Sequence, residues 1–444
     1  MTQLVTEKEQ QEAVSALEEL ISVPSYNQAA EDGAPFGRGI RNALDKMMEI
    51  CERLGFKTYE DPDGYYGYAE VGEGDKIFGV ICHLDTVPAG DPKAWEHDPF
   101  KETVVNDAVY GRGSQDDKGP GIAALFAVKA LMDHGYKFNQ RIRFIYGTDE
   151  EILWRGIAQY NKKESQIDSG ISPDAEFPLI YAEKGLQQSY LVGPGTDQLK
   201  LSLKNAFNAV PDKAVYDGPK QDEVKAALDK HGFEYTSDEN SITVLGKSVH
   251  AMLAPQGTNA VLRLAIALDD VFDFKPLDFI GKLFKEDATG TNLLGDVEDE
   301  SGHLTINISS LEINEKETQM QIDLRIPVTV DRDKLLEKLA QRVAPYDLKY
   351  VHFDYVAPLY VPKDSKLIQT LMDVYKEQTG DTTATPQISG GATFARTMNN
   401  CVAFGGMLPT TPDYMHQANE QWPLKDMFKA MEIYAQAIKR LCVD

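Results

Sequence analysis

The sequence is poor in cysteine and has no long uninterrupted apolar run. Only four of its 444 residues are cysteines, at Cys51, Cys82, Cys401 and Cys442, and none forms a C-x-x-C pair. This spacing excludes a small disulfide scaffold or a zinc ribbon and is compatible with reduced thiols in a cytosol. No apolar run approaches transmembrane length, and the acidic N-terminus lacks the features of a signal peptide. We therefore expect a cytoplasmic protein with no membrane partner.

Basic residues and several familiar catalytic signatures are also scarce. The chain has 45 lysines and arginines against 70 aspartates and glutamates, a formal net charge of -25. This charge repels a phosphate backbone, so we expect no nucleic-acid partner. The G-x-S-x-G, H-E-x-x-H and complete G-x-G-x-x-G signatures are absent, which argues against the chemistry that each of them supports.

Strand-like apolar runs alternate with a helical pattern through about the first 185 residues. Buried strands are predicted at 77–82, 141–147 and 178–182, and a helix at 119–135. This order is typical of a doubly wound, mostly parallel sheet. A buried strand at 401–406 and an amphipathic helix at 424–441 return to the same pattern near the end of the chain.

The intervening segment has a different pattern. Polar and apolar residues alternate along its strands, as expected of antiparallel strands with one solvated face. Helical patterns among them predict two similar α+β units in succession. We therefore predict an α/β protein with one domain made from both ends of the chain, residues 1–185 and 356–444, and a second, α+β domain inserted at 186–355.

Histidines and carboxylates lie near the ends of the predicted buried strands. Sites in open α/β sheets form outside the carboxyl ends of the strands, so these loops could converge. Two histidines and at least three carboxylates would suit two divalent ions that share one carboxylate. The candidates are His83, Asp85, Asp116, Asp117, Asp149, Glu150, Glu151, Asp174 and His416.

Purely structural interpretations of the same segments remain open. Asp116 or Asp117 could cap the helix that follows them. Thr148 and Glu151 match a capping box, which would exclude Glu151 as a metal ligand while it stays in the cap. Asp149 is expected to be solvated.

Seven segments, in order, resemble the co-catalytic dizinc exopeptidases, a family that includes aminoacylases, succinyl-diaminopimelate desuccinylase, carboxypeptidase G and carnosinases. They span about residue 80 to residue 420 and read HLDTVPAGD, GRGSQDDKGP, TDEEILWRG, YAEKG, HAMLAPQGTNA, GGATFAR and MHQANE. Within this group the chain looks most like the bacterial PepV-type dipeptidases. That similarity rests on SQDDKGP, GGATFAR, HAMLAPQGTNA and NAVPDKA.

The resemblance implies a metal site that binds two ions. One ion would be bound by His83, Asp116 and Asp174. The other would be bound by Asp116, Glu151 and His416, so that Asp116 bridges the two. Zinc is expected first, and manganese or cobalt would also accept these ligands.

The resemblance also implies roles for residues that do not bind metal. Asp85 would orient His83, and Glu150 would be the general base. The domain at 1–185 and 356–444 would be the catalytic domain, and the inserted domain at 186–355 would be a lid. His250, from the lid, would help to bind the oxyanion, and Arg325 would contact the substrate carboxylate. Without the resemblance, an exposed loop histidine and a solvated strand arginine would be expected at these two positions. Further substrate contacts would come from Asn208, Gly390 and Gly391.

We therefore expect a metal-dependent dipeptidase that hydrolyses unblocked dipeptides. The alternatives are an N-acyl amino acid deacylase or carboxypeptidase of the same family and, more remotely, a catalytically silent binding protein. A monomer is expected, because two α+β units in one insertion could supply the surface that a partner subunit provides in other relatives. Two departures from the family pattern are a long polar segment at 89–100 and Gln115, where a smaller residue is frequent.

Overall fold

The computed structural model describes residues 3–101 and 104–443, which form two compact units. The first unit comprises Met1–Ala182, Leu359–Ile388 and Ala392–Asp444, and the second comprises Glu183–Pro358 with Ser389–Gly391. The sequence did not predict that residues 389–391 return to the second unit.

A nine-stranded mixed sheet organises the first unit, and its centre is parallel. The central strands are, in spatial order, Arg141–Gly147, Ile77–His83, Ser169–Ser172 and Cys401–Ala403. Every residue of Ile77–His83 is buried, as expected of a parallel strand covered on both faces. The flanking strands are Lys57–Glu60 and Tyr66–Val71 on one side, and Ile180–Glu183, Leu359–Tyr360 and Gln387–Ser389 on the other.

Six α-helices accompany this sheet within the described part of the first unit. Lys118–Asp133 is buried on almost all sides and packs against two of the others, Glu7–Ile21 and Leu424–Cys442. A helix that is apolar all round belongs in a core. Lys118–Asp133 confirms the helix predicted at 119–135. The remaining helices are Arg38–Arg53, Arg155–Lys163 and Lys366–Thr379. Short strands at Val104–Val105, Ala108–Tyr110, Ala175–Glu176, Gly406–Met407 and Gln421–Pro423 complete the unit.

The second unit contains an antiparallel five-stranded sheet and a smaller three-stranded sheet. Both sheets contribute to one hydrophobic core. The larger sheet has the order Leu201–Leu203, Thr305–Ile313, Glu317–Ile326, Gly185–Pro194 and Lys349–Val356. The smaller has the order Lys213–Tyr216, Ile242–Leu245 and Tyr235–Ser237, and a hairpin pairs Glu298–Asp299 with Gly302–His303. The helices are Gln221–His231, Ala260–Asp269, Lys275–Asp278, Thr291–Leu294 and Arg332–Val343.

These elements confirm the predicted class, an α/β sheet unit followed by an α+β unit. In the described ranges, no helix is both long enough and apolar enough to cross a membrane. All four cysteines are buried, and none of them forms a disulfide.

Candidate active site

His83 is the last residue of a central strand, and its ring is almost fully buried. Its Nδ1 lies 2.9 Å from the main-chain oxygen of Asp85 and therefore carries the proton that is donated to that oxygen. The other nitrogen, Nε2, is then an unprotonated acceptor in the neutral ring. It lies 2.9 Å from Asp116 Oδ1 and 3.7 Å from Asp174 Oδ2, with no hydrogen-bond partner among the described residues. A buried ring nitrogen that faces two carboxylates calls for positive charge at this position, which a bound cation or a proton on the ring can supply.

Two donor sets arise around this position, and they share one residue. His83, Asp116 and Asp174 form the first set, and Asp116, Glu151 and His416 form the second. Within each set the ligand atoms all lie within 4.8 Å of one another. Asp116 presents Oδ1 to His83 at 2.9 Å and Oδ2 to His416 at 2.8 Å. This is the arrangement expected of a carboxylate that bridges two ions, and the mixed imidazole and carboxylate ligands suit zinc, manganese or cobalt.

Crowded negative charge shifts the pKa values of these groups strongly. Burial alone would lower the pKa of His83, but Asp116 and Asp174 raise it well above its ordinary value. Hydrogen bonds to Asp116 and Glu151 raise the pKa of His416 to about 10. Burial raises the pKa of Asp174, and the charge of Asp116 adds to the increase. The site therefore attracts positive charge, and divalent cations fit it.

Asp85 accepts hydrogen bonds through both its main chain and its side chain. The main-chain oxygen binds His83, whereas the carboxylate Oδ1 lies 3.7 Å from His83 Nδ1. The carboxylate instead accepts hydrogen bonds from the N-H groups of Glu150 and Glu151, at 3.1 and 3.0 Å. Asp85 thus links the first donor set to the turn that carries the two glutamates.

The capping box predicted at Thr148 and Glu151 is wrong. The helix begins at Arg155, and the Thr148 hydroxyl donates to the main-chain oxygen of Tyr65 instead. Because no helix starts at this point, Glu151 is available to the second donor set, and its Oε1 lies 3.2 Å from His416 Nε2.

The expected solvated position of Asp149 is also wrong. Its side chain is fully buried and accepts two hydrogen bonds from the guanidinium of Arg155, both at 2.8 Å. The main-chain N-H of Arg155 donates to the same carboxylate at 3.0 Å. Asp149 therefore closes the turn formed by residues 149–155, on which Glu150 and Glu151 lie.

The capping interpretation of Asp116 and Asp117 is wrong as well. Neither side chain caps the helix that starts at Lys118. Asp117 is fully buried, and its Oδ2 accepts the main-chain N-H of His83 at 3.2 Å. Burial, with the neighbouring charge of Asp116, raises the pKa of Asp117 to about 8. Through this hydrogen bond, Asp117 helps to position His83, a proposed metal ligand. The sequence did not reveal this role.

Glu420 is a second residue whose role the sequence did not reveal. Its buried carboxylate accepts the N-H groups of Gly113, Gln115 and Asp116, at 3.1, 2.8 and 3.3 Å. It also binds Arg112 Nη1 at 2.6 Å. The only sequence signal was an unassigned acid in MHQANE, four residues after His416. Glu420 holds the glycine-rich turn in the shape that presents Asp116.

The predicted substrate-contact residues lie near one another in the second unit. Arg325 is buried, and its Nε lies 2.8 Å from Asp323 Oδ1. Its Nη1 donates to the main-chain oxygen of Gly390 at 2.9 Å. The alternative of a solvated strand arginine is therefore wrong. Gly391 follows directly, and its N-H donates to Ser389 Oγ at 2.9 Å.

His250 is exposed, and a main-chain contact determines its tautomer. Its Nδ1 accepts the N-H of Met252 at 3.2 Å, so the proton of the neutral ring is on Nε2. Burial of part of the ring and the charge of Arg325 lower the pKa of His250. The main-chain oxygen of Asn208 accepts the N-H of Ala251, which places Asn208 beside His250. A Cβ at Gly390 would lie 2.6 Å from Met252 Cβ, so this approach requires glycine.

Comparison with known proteins identifies relatives over nearly the whole chain. The family model described as Peptidase family M20/M25/M40 matches residues 79–440. YtjP of Bacillus subtilis (strain 168), provisionally named a dipeptidase, is 36% identical over 442 residues, which cover 93% of each chain. SH1171 of Staphylococcus haemolyticus (strain JCSC1435), also provisionally named a dipeptidase, is 34% identical over 97% of each chain.

A solved structure shows the same fold at low sequence identity. The aminoacylhistidine dipeptidase of Vibrio alginolyticus matches with a TM-score of 0.63 at 12% identity, over 99% of this chain and 98% of that one. At this identity the likeness supports the fold and not the substrate.

Proposed function

Because the chain belongs to peptidase family M20/M25/M40, we propose that it is a dipeptidase that hydrolyses unblocked dipeptides with two divalent metal ions. The chain is a peptidase by family, and the names of YtjP and SH1171 support the dipeptide substrate. The observation that carries the proposal is Asp116, whose two carboxylate oxygens face two histidines of different donor sets.

In this proposal His83, Asp116 and Asp174 hold one ion, and Asp116, Glu151 and His416 hold the other. When bound, such ions polarise a peptide carbonyl and lower the pKa of a water molecule toward neutrality. We propose zinc first, with manganese or cobalt as alternatives, since each accepts imidazole and carboxylate ligands.

Glu150 is the proposed general base. Among the described residues, none donates a hydrogen bond to its carboxylate. Burial raises its pKa well above the ordinary value, Glu151 and Asp116 raise it further, and His83 opposes the shift. A carboxylate with a raised pKa can take the proton of the attacking water and deliver it to the leaving amine.

Two residues of the second unit are proposed to bind the substrate. His250, with its proton on Nε2, would donate to the oxygen on which negative charge develops. Arg325 uses only part of its five-donor guanidinium on Asp323 and Gly390, which leaves donors for a substrate carboxylate. Asn208, Gly390 and Gly391 are proposed to line the same region.

Paired substrates test this function against the alternatives. We expect turnover of Ala-His and Leu-Gly by the metal-loaded protein, and much lower kcat/KM for their N-acetylated forms. A preference for the blocked substrates would instead support a deacylase or carboxypeptidase. Loss of all turnover in the metal-loaded protein would support a silent binding protein.

The proposal includes a monomer in the cytoplasm. The single chain contains every proposed metal ligand, and none of its four cysteines forms a disulfide. Light scattering should give a mass close to 49.4 kDa. A mass of twice that value, with activity lost on dilution, would contradict the monomer.

A further inference from the structure

The loop formed by residues 412–421 carries His416, a proposed metal ligand. Packing around the ring of His416 does little to fix its position. The His416 ring is 54% exposed, so packing does not hold it in place. Its φ of 61° lies in the left-handed region, which non-glycine residues rarely adopt. Asn419, three residues later, has a φ of 64°. Conformations of this kind persist only where surrounding contacts impose them.

The side chain of Gln115 supplies contacts on both sides of His416. Gln115 Nε2 donates to the main-chain oxygens of Pro412 and Gln421, both at 2.8 Å. Its Oε1 accepts the N-H of Tyr414 at 2.9 Å. The side chain is 2% exposed, so water cannot replace these bonds easily. A single buried amide therefore bonds the loop on both sides of the histidine.

Only an amide of this length satisfies all three main-chain groups. Both protons of Nε2 are donated and Oε1 is an acceptor, which fixes the amide orientation. Methionine would fill a similar volume and make none of these bonds. Glutamate would place an acceptor oxygen against two carbonyl oxygens. The chemistry of the side chain, beyond its size, thus matters at this position.

Gln115 also precedes Asp116, the residue shared by the two donor sets. The main-chain N-H groups of both residues donate to Glu420 Oε1, at 2.8 and 3.3 Å. Gln115 therefore connects the turn that presents Asp116 to the loop that presents His416. We infer that Gln115 is a positioning residue that sets the geometry of the Asp116, Glu151 and His416 donor set. This inference rests on the proposed dinuclear function.

Metal binding to the apoprotein tests the inference without relying on activity. Zn²⁺ and Mn²⁺ are titrated into wild type and Gln115→Met, with a chelator of known affinity as competitor. Loss of a residue that orients metal ligands typically weakens metal binding about 10- to 100-fold. We expect this loss for one of two ions, with the second bound nearly as in wild type. At saturating metal, kcat should recover more fully than the metal affinity does.

Gln187→Met is the matched control. Gln187 is a fully buried glutamine of the second unit, and its Nε2 contacts Ser189 Oγ and the main-chain oxygen of Asp354, each at 2.9 Å. This variant also loses buried amide hydrogen bonds, so it should lower the unfolding temperature while leaving both metal affinities unchanged. Equal weakening of metal binding in the control would overturn a specific role for Gln115.

Two further variants keep the inference falsifiable. Gln115→Glu should weaken the same ion at least as much as Gln115→Met, because its carboxylate opposes two carbonyl oxygens. If Gln115→Met does not fold, the same metal titration is carried out on Gln115→Asn and tests the inference. Wild-type affinity for both ions in a folded Gln115 variant overturns the inference. Failure of wild type to bind two ions would instead overturn the proposed dinuclear function and, with it, this inference.

Discussion

At the scale of single residues, Glu150 and Glu151 share one turn but have different surroundings. The N-H groups of both donate to the carboxylate of Asp85. The side chain of Glu151 lies 3.2 Å from His416, whereas that of Glu150 has a pKa raised chiefly by burial. Substitution of either residue should therefore affect a different part of the proposed chemistry.

Glu150→Gln should keep both metal ions and lose catalysis. An amide of the same size cannot take the proton of water, so kcat should fall by about two to four powers of ten. Metal content and kcat are measured on the same preparation. Turnover near wild type in a metal-replete Glu150→Gln protein would exclude Glu150 as the base. Glu151→Gln, in contrast, should first lose metal.

At the scale of secondary-structure elements, an ion pair between Asp149 and Arg155 closes the turn of residues 149–155. Asp149 is fully buried, and Arg155, its partner, is about half exposed. Removal of a partner from a buried charged group costs about 1–3 kcal/mol. We expect Arg155→Met to lower the free energy of unfolding by that amount, measured by urea denaturation, and to lower kcat because Glu150 lies on the turn.

Arg53→Met is the control for this prediction. Arg53 pairs with Glu19 at 2.8 Å on the surface, where both side chains are partly exposed. Pairs of this kind contribute about 0–1 kcal/mol. A loss in Arg53→Met as large as that in Arg155→Met would argue against a special role for the buried Asp149.

The end of the helix Ala260–Asp269 carries a pair of carboxyl groups with a pH-dependent effect. Burial raises the pKa of Asp269 to about 7, and the hydrogen bond that protonated Asp269 donates to Asp278 adds to the shift. An acid whose pKa is raised in the folded state stabilises the fold below its unfolded pKa. This stabilisation is lost as the pH rises through about 7. The contribution of Asp269 to wild-type stability should therefore decrease between about pH 4 and pH 7.

Asp269→Asn should flatten this dependence, because the amide can donate to Asp278 at every pH. Relative to wild type, the variant should gain on the order of 1–3 kcal/mol as the pH rises from about 4 to about 7. Denaturation at several pH values measures the difference. Asp270→Asn is the control. Lys230 lowers the pKa of Asp270, so titration of Asp270 changes the stability only at acid pH. Parallel pH curves for wild type and Asp269→Asn would contradict the prediction.

The elements also show where sequence-based prediction succeeds. The strands Ile77–His83 and Arg141–Gly147 were predicted because a buried parallel strand leaves a continuous apolar run in the local sequence. The turn at 149–155 was not, because its shape depends on the carboxylate of Asp85, more than 60 residues away. The position of Glu420 is a stronger case, since it accepts the N-H of Gly113 across 307 residues. Contacts of this range leave no local pattern.

At the scale of the whole molecule, the family, the α/β class and the inserted α+β unit were all predicted from the sequence. The donor sets lie together in the structure because every proposed ligand follows a strand or turn of the first unit. The sequence could not predict the hydrogen bonds that support them, which involve Asp117, Gln115 and Glu420. Ligand types are visible in motifs, whereas their supports depend on the complete fold.

Metal removal should affect the whole molecule as well as catalysis. Without cations, several buried carboxylates repel one another, and the pKa of Asp174 is raised as a result of burial and this repulsion. An ion whose free concentration is 100 times its dissociation constant would add about 2.7 kcal/mol to the free energy of unfolding. We expect a chelator to abolish activity and lower the unfolding temperature, and added zinc or manganese to restore both.

Asp116→Asn is the matched variant for metal removal. It alters the one residue common to both donor sets, so added metal should raise its unfolding temperature much less than that of wild type. Differential scanning calorimetry with and without metal measures this effect. An equal metal-induced shift in Asp116→Asn would show that the ions stabilise the protein at some other position.

The place of Cys401–Ala403 in the large sheet bears on how the protein is made. This strand lies between Ser169–Ser172 and Ile180–Glu183, which precede it by more than two hundred residues. During synthesis, the ribosome must therefore translate the whole main segment of the second unit before it reaches the strand that completes the sheet. His416 emerges later still. A chain that terminates before residue 401 lacks both this strand and the proposed ligand His416, so we expect such a truncated product to have no peptidase activity.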